Sequence, residues 1–499
     1  MEKLDLFKTK LNEVADISAA MALLGWDQQT YMPRGGAQDR GDIFSTMAGL
    51  LHEKVTSPEA IALLEEMKEL AKSMDPDSDD ARLIKVTAKA MDKQLKLPKR
   101  YVEEFAMATT VAQTEWEHAK HENNFALYQP HLEKVVELRR EYASYFQPYE
   151  HVYDPLLDDF EPGLKTAEVI AIFDELRPRQ VELIKAITAA KQVDDSFLKL
   201  EYDPDVQWEF GKEVVTAMGY DFNRGRIDQV EHPFTTGFGI DDVRITTHVY
   251  PKMVTSALFS TIHEGGHALY EQGIDHKYRR TPLATGASMA LHESQSRMWE
   301  NLVGRSLGFW KFFYPKLQAK FPTQLGNVSM EQFYKAVNKV SPSFIRTEAD
   351  EATYNLHIML RLELEIALME GTLAVKDLPE AWNTRMKDYL GVVPPNDTKG
   401  VLQDVHWSSG MIGYFPTYAL GNLVSVQLWE VIQRQIPDLD SQIANGKFDG
   451  LLGWLRENVH KTGAKFEPQE MVQKITGSKI NPQPYLRYLT NKYSSIYGL

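Results

Sequence analysis

Three residues of one short segment, His263, Glu264 and His267, have the types and the spacing of a hydrolytic metal site. If the segment is helical, the two histidines lie about 40° apart on one face, so both imidazoles can reach one metal ion. Glu264 then projects about 100° from His263 and about 60° from His267, close enough to address a water on that ion. Two neutral imidazole ligands and a carboxylate base are the groups that zinc-dependent hydrolysis uses.

The His-Glu-x-x-His pattern also arises by chance in roughly a few per cent of chains of this length and histidine content, so its surroundings matter. Pro251 suits the first turn of a helix, and apolar residues follow it at near-helical spacing. Gly265 and Gly266 together cost a helix about 1–2 kcal/mol, which predicts a compensating close approach of a substrate or of another helix.

Glu293 is the predicted third metal ligand. It follows His267 by 26 residues, and the glycines and the proline between them indicate a helix exit and a loop, so that a second helix can return Glu293 to the metal. Two imidazoles and one carboxylate leave a fourth position open for water, as a catalytic zinc requires. The alternative is a carboxylate on a solvated helix face beside Arg297. The adjacent His292 binds either an outer-shell group or a core hydrogen-bond partner.

The composition is that of an ordinary globular protein, with 43% hydrophobic and 25% charged residues in a chain of 499. A formal net charge of −15 and the lack of a basic patch argue against nucleic acid as a partner. The chain has no cysteine, which excludes disulfides and thiol catalysis and argues against a structural zinc site. No secretory signal and no long apolar run stand out, so we predict a soluble, cytoplasmic protein that does not enter a membrane.

Helical periodicity dominates the chain. Amphipathic stripes, interpreted as packing faces, run through 3–24, 41–73, 81–95, 100–120, 132–145, 166–192, 205–218 and 355–373. The breakers between them are short, and no linker is long enough to separate independent domains. We therefore predict a single catalytic domain over residues 1–499, in which two lobes wall one cleft.

Residues 226–250 are the one segment with strand character. The run from Val243 to Tyr250 is β-branched and alternating, and it directly precedes the predicted metal helix. An edge strand beside the metal could hold a peptide extended through main-chain hydrogen bonds. The alternative is a short structural hairpin.

Further motifs occur in order along nearly the whole chain. They are Gly25–Pro33 (GWDQQTYMP), His232–Phe234 (HPF), Asp242–Thr246 (DVRIT), His263–His267 (HEGGH), His292–Arg297 (HESQSR), Ile345–Asp350 (IRTEAD) and Gly413–Tyr418 (GYFPTY). Together they resemble the carboxypeptidase Taq family of zinc metallocarboxypeptidases, without departure at the metal and base positions.

The resemblance implies a mainly α-helical, neurolysin-like fold of two halves around a deep central groove. With the strand segment, this predicts a small β-sheet beside the metal helix. The resemblance also implies a homodimer, one zinc ion per subunit that cobalt can replace, and the release of single C-terminal amino acids with broad specificity. The expected partners are therefore peptides with a free C-terminus.

Arg346, in the Ile-Arg-Thr motif shared with the family, is the first candidate for binding the terminal carboxylate of the substrate, because a planar guanidinium can bind both oxygens. Its alternative role is a structural salt bridge with Glu348, Asp350 or another acid. Arg244 is the weaker candidate, since two aspartates adjoin it in the sequence.

The resemblance also points to a neutral donor for the oxyanion that forms during hydrolysis. Related zinc peptidases of similar fold use a histidine and a tyrosine C-terminal to the metal motif, which makes His406, Tyr414 and Tyr418 the candidates. Core packing accounts equally well for either tyrosine, so the sequence does not choose between them. His232 either contacts substrate or has a structural role beside Pro233.

These expectations combine into one mechanism. Zinc held by His263, His267 and Glu293 lowers the pKa of a bound water. Glu264 takes the proton during attack on the last peptide carbonyl and delivers it to the departing amine, while Arg346 fixes the cut at one residue from the end. One alternative is an oligopeptidase or dipeptidyl carboxypeptidase on the same scaffold. The other is a non-catalytic helical binding protein with a structural zinc. The presence of Glu264 argues against the second, because a structural zinc site needs no base.

Overall fold

The computed structural model describes residues 2–499, which form twenty-one α-helices and three short strands. The helices, α1–α21 in chain order, are Glu2–Thr30, Ala37–Thr56, Pro58–Ala71, Asp79–Lys96, Lys99–Glu122, Phe125–Ser144, Asp154–Asp158, Thr166–Ala189, Pro204–Met218, Val254–Gly273, Met289–Arg297, Leu307–Lys320, Pro322–Leu325, Met330–Val337, Glu351–Glu370, Leu378–Leu390, Pro416–Gln435, Leu439–Ala444, Asp449–Asn458, Pro468–Thr476 and Gln483–Tyr497. The strands β1–β3 are Ile227–Gln229, Thr235–Gly237 and Val243–Thr247. The predicted class, mainly α with a small sheet, is confirmed. None of these helices has both the length and the apolar composition that crossing a membrane requires.

Most predicted stripes coincide with single helices to within a few residues, but the stripe over 41–73 is two helices, α2 and α3. The break lies at Ser57, whose backbone is extended and whose hydroxyl accepts a hydrogen bond from the main-chain N–H of Ala60. Pro58 follows in the first turn of α3, where a missing N–H costs nothing. The serine cap and the proline therefore start a new helix where apolar periodicity alone runs on.

The apolar core consists of two clusters. The larger one runs from α5 to α21 and includes the buried faces of α10, α11, α15 and α17. The smaller one joins α1, α3 and α4 to the chain around β3 and after α10, through residues such as Phe7, Leu64, Leu83, Ile240 and Tyr278. The helices ahead of α5 thus share a core of their own, which the segment beyond α10 completes.

The small sheet has β3 in its centre. It pairs parallel with β1 and antiparallel with β2, where Thr235 lies opposite Ile245 and Gly237 opposite Val243. The alternating run predicted over Val243–Tyr250 is therefore the central strand, and it ends at Thr247. The edge strand next to α10 is β2, which the sequence pattern alone did not single out.

Candidate active site

Helices α10 and α11 bring the three predicted metal ligands together. One donor atom each from His263, His267 and Glu293 lies within 4.8 Å of the others. Oε2 of Glu293 is 3.7 Å from Nε2 of His263 and 3.5 Å from Nε2 of His267. Ligand atoms around a tetrahedral zinc lie about 3.3–3.5 Å apart, given its usual bond lengths. The residues present therefore fit a divalent metal ion bound by two imidazoles and one carboxylate.

Glycines let the supporting helices approach closely enough for this. A Cβ atom on Gly266 of α10 would lie 2.7 Å from Cα of Ser296 on α11. A Cβ atom on Gly421 of α17 would lie 2.6 Å from Cβ of Glu293. Both distances are too short for any side chain, so the close packing of α11 accounts for Gly266, one of the two glycines inside the metal motif.

Hydrogen bonds behind the two histidines determine which ring nitrogen faces the metal. Nδ1 of His263 lies 2.9 Å from Oε2 of Glu300 and therefore carries the proton. Nδ1 of His267 lies 2.6 Å from Nδ1 of His292, whose Nε2 is 2.6 Å from Oε1 of Glu271. Because a carboxylate only accepts, His292 donates through Nε2 and accepts at Nδ1 from His267. His263 and His267 thus both present an unprotonated Nε2, and His292 lies in the outer shell of the candidate metal site.

Glu293 is buried, 5% exposed, and does not lie on a solvated helix face. Nε of Arg297 is 2.6 Å from Oε1 of Glu293, one helical turn away, and Nη1 of Arg297 is 3.1 Å from Oε2 of Glu300. Burial raises the pKa of the Glu293 carboxyl, but Arg297 and the two imidazoles outweigh it, so the pKa lies well below its usual value. The Glu293 carboxyl is therefore ionised, with Oε2 directed at the histidines.

Glu264 is buried on α10 between the metal ligands and the sheet. Its Oε2 lies 2.6 Å from Oγ1 of Thr235 on β2, and the same hydroxyl lies 2.9 Å from the main-chain oxygen of Glu264. Burial raises the pKa of the Glu264 carboxyl, which moves it toward the range in which a group can take and return a proton. Thr235, directly after the His-Pro-Phe motif, thus fixes the orientation of the candidate base, a role that we did not infer from its sequence position.

The three candidate oxyanion donors form one aromatic group. Nε2 of His406 lies 3.2 Å from Oη of Tyr418, and the ring of Tyr414 is 5.2 Å from that of Tyr418 and 5.5 Å from that of His406. Burial and the nearby Glu293 charge raise the pKa of Tyr414 to about 12, and burial also raises the pKa of Tyr418 well above its usual value. Burial lowers the pKa of His406 to about 3. At neutral pH the group therefore consists of neutral donors close to Glu293.

Arg346 is 6% exposed and lies just ahead of α15. Its Nε and Nη2 atoms are 3.0 and 2.9 Å from Oδ1 of Asp404, and its Nη1 is 2.9 Å from Oη of Tyr354. Its salt-bridge partner is therefore Asp404, and not Glu348 or Asp350. The side chain of Asp350 instead caps the first turn of α15.

Tyr354 connects Arg346 to the metal ligands. The guanidinium of Arg297, which pairs with Glu293, stacks 4.3 Å above the Tyr354 ring. The hydroxyl of the same tyrosine accepts the hydrogen bond from Arg346, whose guanidinium also lies 4.9 Å from the centre of the Tyr418 ring. The candidate metal ligands and the candidate carboxylate-binding residue thus lie on two sides of Tyr354, which lies just ahead of the predicted packing stripe over 355–373 and which the sequence pattern did not single out.

The two weaker candidates have other surroundings. Arg244 binds Asp242 through two hydrogen bonds of 2.9 Å and stacks 4.3 Å above the ring of Trp26. These contacts account for the arginine and for the tryptophan of the N-terminal motif. His232 is exposed in the chain that leads into β2.

Known proteins match this chain over nearly its whole length. The family described as carboxypeptidase Taq (M32) metallopeptidase matches residues 6–493. The chain is 41% identical to thermostable carboxypeptidase 1 of Thermus thermophilus, over 97% of both chains. It is 38% identical to carboxypeptidase 1 of Bacillus subtilis, over 98% of this chain and 97% of that protein. The crystal structure of the M32 carboxypeptidase from Deinococcus radiodurans R1 superimposes with a TM-score of 0.97 at 41% identity, over 100% of both chains. The chain therefore belongs to the carboxypeptidase Taq (M32) family and is a metallocarboxypeptidase.

Proposed function

We propose that this metallocarboxypeptidase uses zinc to release single C-terminal amino acids from peptides with broad specificity. The observation that carries the proposal is that donor atoms of His263, His267 and Glu293 lie close together. Glu264 lies on the same helix as the two histidines, and Tyr354 contacts both Arg346 and Arg297, the partner of Glu293. Two imidazoles and one carboxylate are a donor set typical of catalytic zinc, and cobalt binds such sites as well.

The chemistry is divided among named side chains. A divalent ion, when bound by the three ligands, supplies Lewis acidity and makes a water more acidic. Glu264, held by Thr235, takes a proton from the attacking water and returns it to the departing amine. Hydroxyl and imidazole donors of Tyr414, Tyr418 and His406 bind the carbonyl oxygen as it becomes negative, an interaction worth about 3–4 kcal/mol in comparable sites.

Two further elements orient the peptide. Arg346 binds the terminal carboxylate, which limits each cut to one residue. The edge strand β2 carries Thr235 beside the base, and its unpaired side is suited to hold the preceding residues of the substrate in an extended conformation.

We also propose that residues 1–499 act as one catalytic domain, and that the protein is a homodimer located in the cytoplasm. The family resemblance supports the first two proposals. A composition without cysteine, which suits a reducing compartment, supports the third.

The products formed from a peptide of mixed sequence should distinguish this activity from its alternatives. We expect a mass ladder in steps of one residue from the C-terminus, which stops when a chelator removes the metal. Steps of two residues would indicate a dipeptidyl carboxypeptidase, and internal fragments would indicate an oligopeptidase. Intact peptide with the metal-loaded protein would indicate a non-catalytic binding protein.

Replacing Arg346 by alanine should damage cleavage of peptides that end in a free carboxylate. Loss of one buried charge-assisted contact costs about 2–5 kcal/mol, or roughly 30- to several-thousand-fold in kcat/KM. Wild type should also prefer N-acetyl-Ala-Phe to the same peptide with a C-terminal amide, because the amide removes the charge from the other partner. If Arg346 contacts the carboxylate, the variant should lose most of that preference, and the two changes should be non-additive.

The matched control is Arg385→Ala, since the guanidinium of Arg385 pairs with Glu363 of α15 away from the candidate site. It should keep the wild-type ratio between acid and amide substrates. A wild-type ratio in Arg346→Ala as well would mean that another cation recognises the carboxylate.

A further inference from the structure

Asp404 binds two arginines in one buried cluster. Oδ1 accepts hydrogen bonds from Nε and Nη2 of Arg346 at 3.0 and 2.9 Å, and Oδ2 accepts from Nε and Nη2 of Arg361 at 2.8 and 2.5 Å. Each arginine thus directs the same edge of its guanidinium, the Nε–Nη2 fork, at one carboxylate oxygen. Burial raises the pKa of Asp404, but the two arginines outweigh it and hold the pKa well below its usual value. The carboxylate is therefore ionised and occupied on both sides.

The two arginines differ in how many of their N–H groups are already hydrogen-bonded. Arg361 is fully buried, and besides Asp404 it donates to the main-chain oxygen of His357 at 2.5 Å and to Oε1 of Gln403 at 2.9 Å. Four of its five N–H groups are therefore engaged, whereas Arg346 uses three within residues 2–499. One of the two remaining N–H groups of Arg346 belongs to Nη1 and the other to Nη2, and both point away from the Nε–Nη2 edge that binds Asp404.

The cluster also carries an excess of positive charge, because two guanidinium groups share one carboxylate. Glu365, one turn further along α15, is hydrogen-bonded to other partners, and burial raises its pKa to about 7. Burial lowers the pKa of His357, one turn before Arg361 on α15, and so keeps its imidazole neutral. Excess positive charge and two N–H groups at one end of Arg346 are the features that a carboxylate ligand needs.

We propose that Asp404 is a positioning residue for substrate specificity: held by Arg361, it takes one edge of Arg346 and so turns the other end toward the terminal carboxylate of the peptide. Gln403 supports the same arrangement, since its Oε1 also accepts the main-chain N–H of Arg346 at 2.8 Å. The inference rests on the proposed role of Arg346. Asp404 itself contacts no substrate and acts through the arginine.

The substitution Asp404→Asn separates positioning from simple charge balance, because the two effects have opposite signs. Asparagine keeps the shape but places an NH₂ group against one of the two guanidinium forks, so an anchor is lost while the positive charge of the cluster grows. If positioning dominates, the preference for N-acetyl-Ala-Phe over its amide should fall roughly 10- to 100-fold. The fall should come from a higher KM for the acid, with kcat on the amide unchanged. If Asp404 only balances charge, the acid should bind more tightly and the preference should rise, which overturns the proposal.

The measurement uses the metal-loaded enzyme, with metal content and thermal melting checked for each variant. The matched control is Glu363→Gln, which removes a carboxylate on α15, the helix of Arg361, that pairs with Arg177 and Arg385. The control should keep the wild-type preference. Arg361→Lys serves as a second variant if Asp404→Asn does not fold, because lysine keeps the charge but cannot form the fork. We expect a smaller fall in preference for it, and an unchanged preference overturns the proposal.

Arg346→Ala, measured in parallel, distinguishes the proposed role of Arg346 from that of Asp404. If that variant keeps the wild-type preference, the proposed role of Arg346 is wrong and the positioning role falls with it. If Arg346→Ala loses the preference while Asp404→Asn and Arg361→Lys keep it, Arg346 binds the carboxylate without help, and only the positioning role is wrong.

Discussion

Replacing Glu264 by glutamine should lower kcat by about 10²–10⁴-fold, the usual contribution of a general base, while the metal content stays at the wild-type level. Glutamine has the shape of glutamate and leaves both imidazoles of α10 in place. Its amide oxygen can still accept a hydrogen bond from the Thr235 hydroxyl, which is 2.6 Å from the carboxylate in the native protein. The substitution therefore removes proton transfer and little else.

Steady-state cleavage of N-acetyl-Ala-Phe and metal analysis of the same preparation test this expectation together. Glu370→Gln is the matched control, since it makes the same chemical change on a residue that pairs with His151 away from the metal ligands. It should keep wild-type kcat. A Glu264→Gln variant that retains more than a few per cent of the activity with full metal content would show that another group takes the proton.

The local part of this site could be predicted from the sequence because local spacing determines it. His263, Glu264 and His267 are one helical turn apart, so their mutual placement follows from helix geometry alone. The glycine and proline after α10 likewise indicated that the chain turns back and returns Glu293. The starts of helices also depend on local residues. Ser57 and Pro58 show that capping residues predict a helix boundary that apolar periodicity alone misses.

The partners of these residues could not be predicted, because they come from segments distant in the chain. Thr235 contacts Glu264 across 29 positions, and Asp404 contacts Arg346 across 58. Periodicity identifies the buried face of a helix but says nothing about what it faces.

Helix α15 illustrates this limit. Its periodicity predicts a packing stripe, and sixteen of its twenty residues are indeed buried, ten of them apolar. Tyr354, Arg361 and Glu365 nevertheless lie on one face, seven and four residues apart, and they hold the segments that carry Arg346 and His406. Polar residues at helical spacing within a buried helix are the signal that could have indicated these contacts, because polar groups are buried only when they have partners.

Replacing Glu293 by glutamine should abolish activity through loss of the metal, the second large effect that the structure predicts. The carboxylate is the only anionic ligand of the three, and the amide that replaces it is a weaker ligand of the same shape. Alanine is the poorer choice, because it would leave the buried Arg297 without its closest partner, and breaking a buried ion pair costs about 3–5 kcal/mol. Glutamine keeps an acceptor for Arg297, so a loss of metal can be separated from a loss of folding.

The matched control for this variant is His292→Ala, which leaves all three ligands in place but removes the acceptor behind His267. Loss of such an outer-shell partner lowers metal affinity by about 10–100-fold, and the loss of the ligand Glu293 should exceed that. Metal bound per chain, measured over a series of buffered zinc concentrations, should therefore fall in the order wild type, His292→Ala, Glu293→Gln. Excess zinc should restore activity to His292→Ala before it restores any to Glu293→Gln. Wild-type metal affinity in folded Glu293→Gln would mean that the third ligand is another residue, and the donor atoms that meet between α10 and α11 would then require a different assignment.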